Sequence, residues 1–395
     1  VELVKRLAPR QRADPRGAAG QPARLRAALA LGLCLVALLG CRKKQAAHTI
    51  GLALDVGGRG DQSFNDGALR GLEIMAAGLR YTARGYEPLS DDDYRKLLPA
   101  DLPAGQFPHL AIPRPLILSG KAQEDYEPNL QLLIDQGAEL VVAVGFMMEP
   151  ATRAVSARNP GARFLLIDSP LLDAGGRPTV APNVRAVVFR EHEGSFLAGA
   201  VAGRLTRGKV AFVGGMQLPL IRKFEVGFRA GVRQVNPDAE VLVAYTGTFD
   251  DERKGVEVGH DLYARGCDIV FHGAGLDGLG VIKAAQQAGR LVIGVDSDQA
   301  QVAPQNVLTS MIKHVDAAVY LAARDVLEGR FSGGNVALGV KEGGVGLAPL
   351  GPMVPPARRD TLLSEVEDLR ARIADGRLAV PATLEELAKF AAARP

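Results

Sequence analysis

The stretch HTIGLALDVGGRGDQSFNDGALRGLEIMAAGL, residues 48–79, runs from an apolar segment through a glycine-rich turn into a helical pattern. Residues 48–55 form a short continuous apolar run, as expected of a strand buried on both faces of a parallel sheet. Gly57, Gly58 and Gly60 permit a sharp turn with positive φ. Asp61 or Ser63 is placed to cap the helix that follows, on which Ala68, Leu72, Met75 and Leu79 share one face. The turn has three functional readings. Arg59-Gly60-Asp61 is an RGD triplet, which needs an exposed loop tip, and a strand-turn-helix setting speaks against one. A phosphate cradle needs the Lys-Ser/Thr of a P-loop, which is missing here. The third reading makes Phe64, in the first helical turn, a stacking face, with Asn65 offering its amide to a heterocycle edge. A staple against the sheet is the competing role for Phe64.

The same alternation continues down the chain. Further strands are expected at 116–119, 139–145, 163–168, 185–189, 209–214, 241–247, 268–272, 291–296 and 307–311. Helices are expected at 126–136, 193–205, 220–235, 253–265, 278–288 and 315–327. Ten strands exceed one ordinary open sheet, so the expected class is α/β with two doubly wound lobes and a ligand crevice between them. Ligands of such sheets meet the carboxyl ends of the strands. The loops after Asp55, Gly145, Asp168, Gly214, Phe271 and Asp296 therefore belong at one cleft. A proline-rich, acidic stretch at 84–115 reads as a surface insertion, and loops of that length are usually functional or mobile. The segment from Thr361 to Phe390 reads as two amphipathic helices packed on a lobe.

Composition narrows the class. With 47% hydrophobic and 23% charged residues, the 395-residue chain is globular. Residues 1–40 contribute +5 of its formal charge, so the net +3 becomes −2 for the remainder, which argues against a nucleic-acid partner. Behind Arg24 and Arg26 lies an apolar run of about 13 residues, too short to span a bilayer comfortably and proportioned as a signal-peptide core. It ends in Leu38-Leu39-Gly40-Cys41, which resembles a bacterial lipobox. The expectation is a signal peptide at 1–40 with its true start downstream of residue 1, cleavage before Cys41, lipidation of Cys41 and a linker at 41–47. Several acyl chains anchor a protein stably where one does not. Cys267 is then alone, so no internal disulfide is expected, and six scattered histidines form no metal-ligand cluster.

Two further patterns bear on function. Gly273, Gly275 and Gly278 match GxGxxG between a strand and a helix, and Asp296 closes the next strand 23 residues after Gly273. This is near the dinucleotide fingerprint, though it lies deep in the chain and not in the first βαβ unit. Asp296 could instead accept hydrogen bonds from vicinal ribose hydroxyls. Asp55, Asp168 and Asp298 also sit at strand ends, and Lys313 follows the strand at 307–311. Paired acids could serve hydrolysis, but no Ser-His-Asp, Cys-His or GxSxG arrangement accompanies them. Binding without catalysis is the expectation.

The blocks DVGGRGDQSFND, DYEPNLQLLIDQGAELVVAVGF, EGSFLAGAVAGRL, VAFVGGM, FEVGFRAGV, IGVDSDQ and VLTSMIKHVDAAVY, in this order, resemble the basic membrane protein family of ABC-transporter substrate-binding lipoproteins, in particular its purine nucleoside receptors. The resemblance implies a type I periplasmic-binding-protein fold, two Rossmann-like lobes joined by three crossovers. It implies lobe 1 from 48–175 plus 314–340, and lobe 2 with the C-terminal helices from 176–313 plus 341–395. It assigns the base to Asp55, Asn65 and Asp168, with Ser63 beside them. Phe64 and Phe271 would stack on the two base faces, with Phe228 as a substitute for the second. Asp296, Lys313 and the backbone near Gly275 would hold the ribose. The family commonly reads Asp-Asp-Lys-Ser-Phe-Asn where this chain has Gly60-Asp61-Gln62 before Ser63.

The implied function is nucleoside capture for an ABC permease and its ATPase by a monomeric lipoprotein exported to the cell envelope, with no cofactor and no nucleic-acid partner. The alternatives are a sensing ectodomain for another solute such as a sugar, and a dinucleotide-binding enzyme using the Gly273-Gly275-Gly278 turn.

Overall fold

The computed structural model describes residues 49–75, 79–82, 85–88 and 115–390. The signal segment, Cys41, the linker and residues 89–114 of the insertion lie outside the described residues.

The first sheet is built from β1 (Ile50–Leu54), β4 (Leu116–Ser119), β5 (Leu140–Val144), β6 (Arg163–Ile167), β7 (Val184–Phe189) and β13 (Gly334–Leu338), in the order β13-β7-β6-β5-β1-β4. The second holds β8 (Lys209–Gly214), β9 (Glu240–Tyr245), β10 (Ile269–Gly273), β11 (Leu291–Asp296), β12 (Val307–Lys313) and β14 (Val345–Leu347), in the order β14-β12-β11-β10-β8-β9. All pairings in the two sheets are parallel except that of β12 with β14. Every residue of β1 and β5 is buried, because helices cover both faces of a doubly wound sheet. A small hairpin of β2 (Leu79–Thr82) and β3 (Gly85–Pro88) stands apart. Leu79 therefore begins a strand and does not extend the preceding helix.

The chain passes between the sheets three times. It leaves the first sheet after β7 and enters α4 (Glu191–Leu205), which packs on α5 (Pro219–Val235) of the second lobe. It returns after β12 into α8 (Val315–Leu327), which packs on α1 (Phe64–Met75) of the first lobe. It crosses again between β13 and β14. The expected break at 175/176 is corrected by these pairings. β7 lies in register with β6 and with β13, so the first lobe keeps the chain through Phe189. The boundary follows hydrogen-bonded partners, which the composition near residue 175 does not reveal.

The other helices are α2 (Tyr126–Asp135), α3 (Glu149–Arg158), α6 (Glu252–Ala264), α7 (Asp277–Ala288), α9 (Pro356–Ala374) and α10 (Leu384–Lys389). The last two pack on α4 and α5 of the second lobe. Cys267 is a buried free thiol within the second lobe's core.

Candidate ligand-binding cleft

Between the lobes lies a cleft whose empty space, open solvent included, is about 630 Å³. Its lining comes from strand ends: Asp55 after β1, Gly145 after β5, Asp168 after β6, Gly273 closing β10 with Gly275 after it, and Asp296 closing β11.

The glycine-rich turn resolves its three readings. Asp61 is buried, so the RGD triplet presents no free carboxylate. Its Oδ1 accepts from the Ser63 and Asp66 amides at 3.0 and 3.1 Å, and its Oδ2 from the Asn65 amide at 2.8 Å. Asp61 is thus the residue that satisfies the orphan donors at the start of α1. The same Oδ2 takes a bond from Asn65 Nδ2 at 3.2 Å, while Asn65 Oδ1 accepts from the Asp55 amide at 3.1 Å. The Asn65 amide is therefore oriented by protein partners. Phe64 is half-buried and faces the cleft beside Lys313, whose Nζ lies 4.9 Å from its ring centre.

Asp55 is held from one side. Its Oδ1 accepts from the Tyr126 hydroxyl and from the Val56 amide at 2.7 Å, whereas Oδ2 has no donor among the described residues. Burial pushes this carboxyl above its ordinary range, and the Tyr126 and Val56 bonds oppose the shift.

Asp168 and Asp296 occupy equivalent places, at the ends of β6 and β11, and both adopt left-handed backbone with φ of 72° and 63°. Aspartate tolerates this region better than most residues, and such strain clusters at functional sites. Lys313 Nζ lies 2.6 Å from Asp168 Oδ2 and 3.4 Å from Glu191 Oε1, all three side chains nearly fully buried. Glu191 also meets Lys223 at 3.2 Å. Burial opposes the charge on Lys313, but Asp168, Glu191 and Asp296 together hold its ammonium above the ordinary lysine range. Burial pushes Asp168 up to about 6, against the pull of Lys313 and with Glu191 and Asp296 adding to the rise. Its Oδ1 is buried and has no partner among the described residues, and leaving such an acceptor unpaired costs about 1–3 kcal/mol. A ligand hydroxyl or N–H would relieve that cost.

Two expected residues lie elsewhere. Ser63 is fully buried behind the cleft, where its hydroxyl donates to Asp296 Oδ2 at 2.5 Å and ties the lobes together. Phe271 is fully buried in the core of the second lobe, 5.3 Å from the Phe228 ring and 5.6 Å from Phe212. Neither Phe271 nor Phe228 reaches the cleft. Phe271 sits two residues short of the end of β10, on the face that packs against helices. The second lobe's aromatic faces in the cleft are Phe224 and Phe249, and Phe146 adds another from the first lobe. Phe224 lies one helical turn nearer the amino end of α5 than Phe228. A helix that follows a strand begins at the strand's carboxyl edge, so its first turns face the cleft, and this spacing could have pointed to Phe224.

The GxGxxG turn is filled by protein. The Leu276 amide donates to the Phe249 carbonyl at 3.0 Å, and the Asp251 amide to Asp277 Oδ1 at 2.7 Å. Gly275, at φ 57°, shapes the turn, and a Cβ on Gly278 would come within 2.2 Å of the His272 ring. The glycines thus serve close helix–strand packing.

His272 is fully buried, and burial pushes its imidazole down to about 4 from 6.5. The folded state resists protonation, so its contribution to stability is present above pH 6.5 and lost as pH falls through 4. The expected loss is ~3 kcal/mol. In urea titrations, the difference in stability between the wild type and His272→Gln should shrink by that amount between pH 6.5 and 4. A constant difference would assign the histidine to packing alone.

Two lobes joined by three crossovers, with polar strand ends converging on the cleft between them, define a solute-binding protein. The chain belongs to the Bmp family, described as ABC transporter substrate-binding protein PnrA-like, whose model matches residues 49–383. It is 32% identical over 280 residues to basic membrane protein A2 of Borrelia garinii, covering 70% of this chain and 81% of that one. It is 31% identical over 357 residues to a CD4+ T-cell-stimulating antigen of Listeria monocytogenes, covering 86% and 89%. Among solved structures, it resembles an ABC transporter solute-binding protein from Aeropyrum pernix, with TM-score 0.68, 26% identity and coverage of 87% and 96%. A second such protein, from Conexibacter woesei, shares the fold at TM-score 0.62 and 24% identity, with coverage of 85% and 99%. These findings bear out the expected family and the type I periplasmic-binding fold. The family is one of ABC transporter substrate-binding proteins, which are exported and envelope-associated. No described helix is long and apolar enough to cross a membrane.

Proposed function

We propose that this chain captures a purine nucleoside in the interlobe cleft and delivers it to an ABC permease, while anchored to the membrane through lipidated Cys41. The observation that carries the reading is the pairing of flat aromatic faces with polar groups in one cleft. Phe64 and Phe224 flank Lys313, whose Nζ is 4.9 and 5.7 Å from their ring centres. Around them Asp55, Asn65, Asp168 and Asp296 offer three acceptors and an amide. A heterocycle offers both a stacking face and a hydrogen-bonding edge, and ribose hydroxyls are the natural donors for the strand-end carboxylates. The dinucleotide alternative loses support, because the Leu276 amide that would face a pyrophosphate is already bonded.

The test is thermal unfolding of the body that follows Cys41, stripped of ligand by unfolding and refolding. Guanosine, inosine, adenosine, uridine, ribose and NAD would be added separately. Ligand at about 100 times its dissociation constant stabilises by about 2.7 kcal/mol. We expect upward shifts with purine nucleosides and none with ribose alone. Phe64→Ala should weaken nucleoside binding by about 1–3 kcal/mol, roughly 5- to 150-fold in Kd. Shifts with ribose or NAD but with no nucleoside would overturn the reading.

A further inference from the structure

We propose that Tyr126 is a positioning residue that turns Asp55 into a single-oxygen acceptor, so that the cleft takes one hydrogen-bond donor from a base edge at this position and gains nothing from a second, adjacent one. The inference rests on the nucleoside reading for its ligand, but the geometry behind it is set by protein groups alone.

A carboxylate has two oxygens with about four lone-pair directions in all. Asp55 Oδ1 already receives the Tyr126 hydroxyl and the Val56 amide. Both of its lone pairs are spent on protein donors. Oδ2 receives no donor among the described residues, and it lies where a side chain on Gly145 would intrude. Tyr126 is buried and begins α2, outside the cleft lining, so its hydroxyl acts on a ligand only through Asp55. The Asn65 amide, also in the cleft lining, is oriented as well, its Oδ1 bonded to the Asp55 amide and its nitrogen donating to Asp61. The edge presented to a base is therefore one acceptor with fixed surroundings. A free, rotatable carboxylate could instead grip two neighbouring donors in a fork.

Inosine and guanosine separate the two cases. Both carry N1–H, and only guanosine adds the neighbouring 2-amino group. In the wild type their Kd values should agree within about threefold, because a second bond to a carboxylate, worth roughly tenfold or more, is not available. Tyr126→Phe frees one lone pair of Oδ1 and leaves the carboxyl held there by the Val56 amide alone, so it can turn to offer a second acceptor, and the preference for guanosine over inosine should then rise by about tenfold. A purely structural tyrosine would weaken both nucleosides equally. The second readout needs no ligand: the Asp55 carboxyl ¹³C titration in the empty protein should move to higher pH in Tyr126→Phe, since the hydroxyl favours the ionised form. If the wild type already prefers guanosine by tenfold or more and Asp55→Asn abolishes that preference, the single-acceptor assignment is overturned. An unchanged Asp55 titration in Tyr126→Phe overturns the positioning role. If the wild type binds neither nucleoside, the nucleoside reading fails, and the titration still decides the role of Tyr126.

Discussion

Lys313→Met is expected to cost the folded protein about 3–5 kcal/mol, the usual penalty for removing one partner of a buried charge cluster. The residue sits where the chain recrosses from β12 into α8, 2.6 Å from Asp168 and 3.4 Å from Glu191. Its side chain is only 2% exposed, so water cannot take its place beside the carboxylates. Methionine matches the length of the stem but leaves Asp168, Glu191 and Asp296 facing one another. The pH dependence shows whether charge is the cause. Burial has already raised Asp168 to about 6, and losing the ammonium raises it further. A carboxyl with a raised folded-state pKa contributes stability that is present at low pH and lost as pH rises through that value. The deficit of Lys313→Met should therefore be larger at pH 8 than at pH 5 in chemical denaturation. An equal deficit at both would point to lost contact with the Phe64, Phe189 and Phe224 rings, which lie 4.9–5.7 Å from Nζ. A second substitution, Asp168→Asn, should restore part of the loss.

Gly145→Ala carries the other large effect, and it acts on binding and stability together. Gly145 has φ 112° and ψ 145°, a conformation that is costly for any residue with a side chain. A Cβ there would stand within 2.4 Å of Asp55 Oδ2. The backbone strain alone amounts to roughly 1–3 kcal/mol. Relief of the clash requires Asp55 to swing off Tyr126 or the loop after β5 to move into the cleft. Either movement disrupts the edge offered to a ligand. Calorimetric titration with a purine nucleoside should show affinity reduced by two orders of magnitude or about 3 kcal/mol, with Tm lowered as well. A variant that binds normally would place Asp55 outside the ligand's reach.

The sequence by itself determined the layered order of this protein. Continuous apolar runs such as IGLAL and LVVAV are strands because only a strand covered on both faces can use them, and the expected ten strands are all present. Strand ends are also legible locally, since the run stops where the polar residue must meet water or a ligand. Asp55, Asp168 and Asp296 were visible for that reason, and the turn at 57–65 pointed to Phe64 and Asn65.

Only the tertiary structure decided what those ends do. Phe271 and Phe224 are both buried aromatics in apolar surroundings, and they differ by whether a residue sits inside a strand or on the cleft-facing turn of a helix. Ser63 had the right place in the turn but bonds across the lobes to Asp296, 233 residues away. Four short strands, β2, β3, β13 and β14, escaped notice because each is set by its pairing partner and not by its own periodicity. The Lys313–Asp168–Glu191 cluster joins residues from separate passes of the chain, so no spacing announces it. Local patterns report burial of the backbone, which is a property of a segment. Charge pairing and the direction of a ring depend on what another segment brings to the same point.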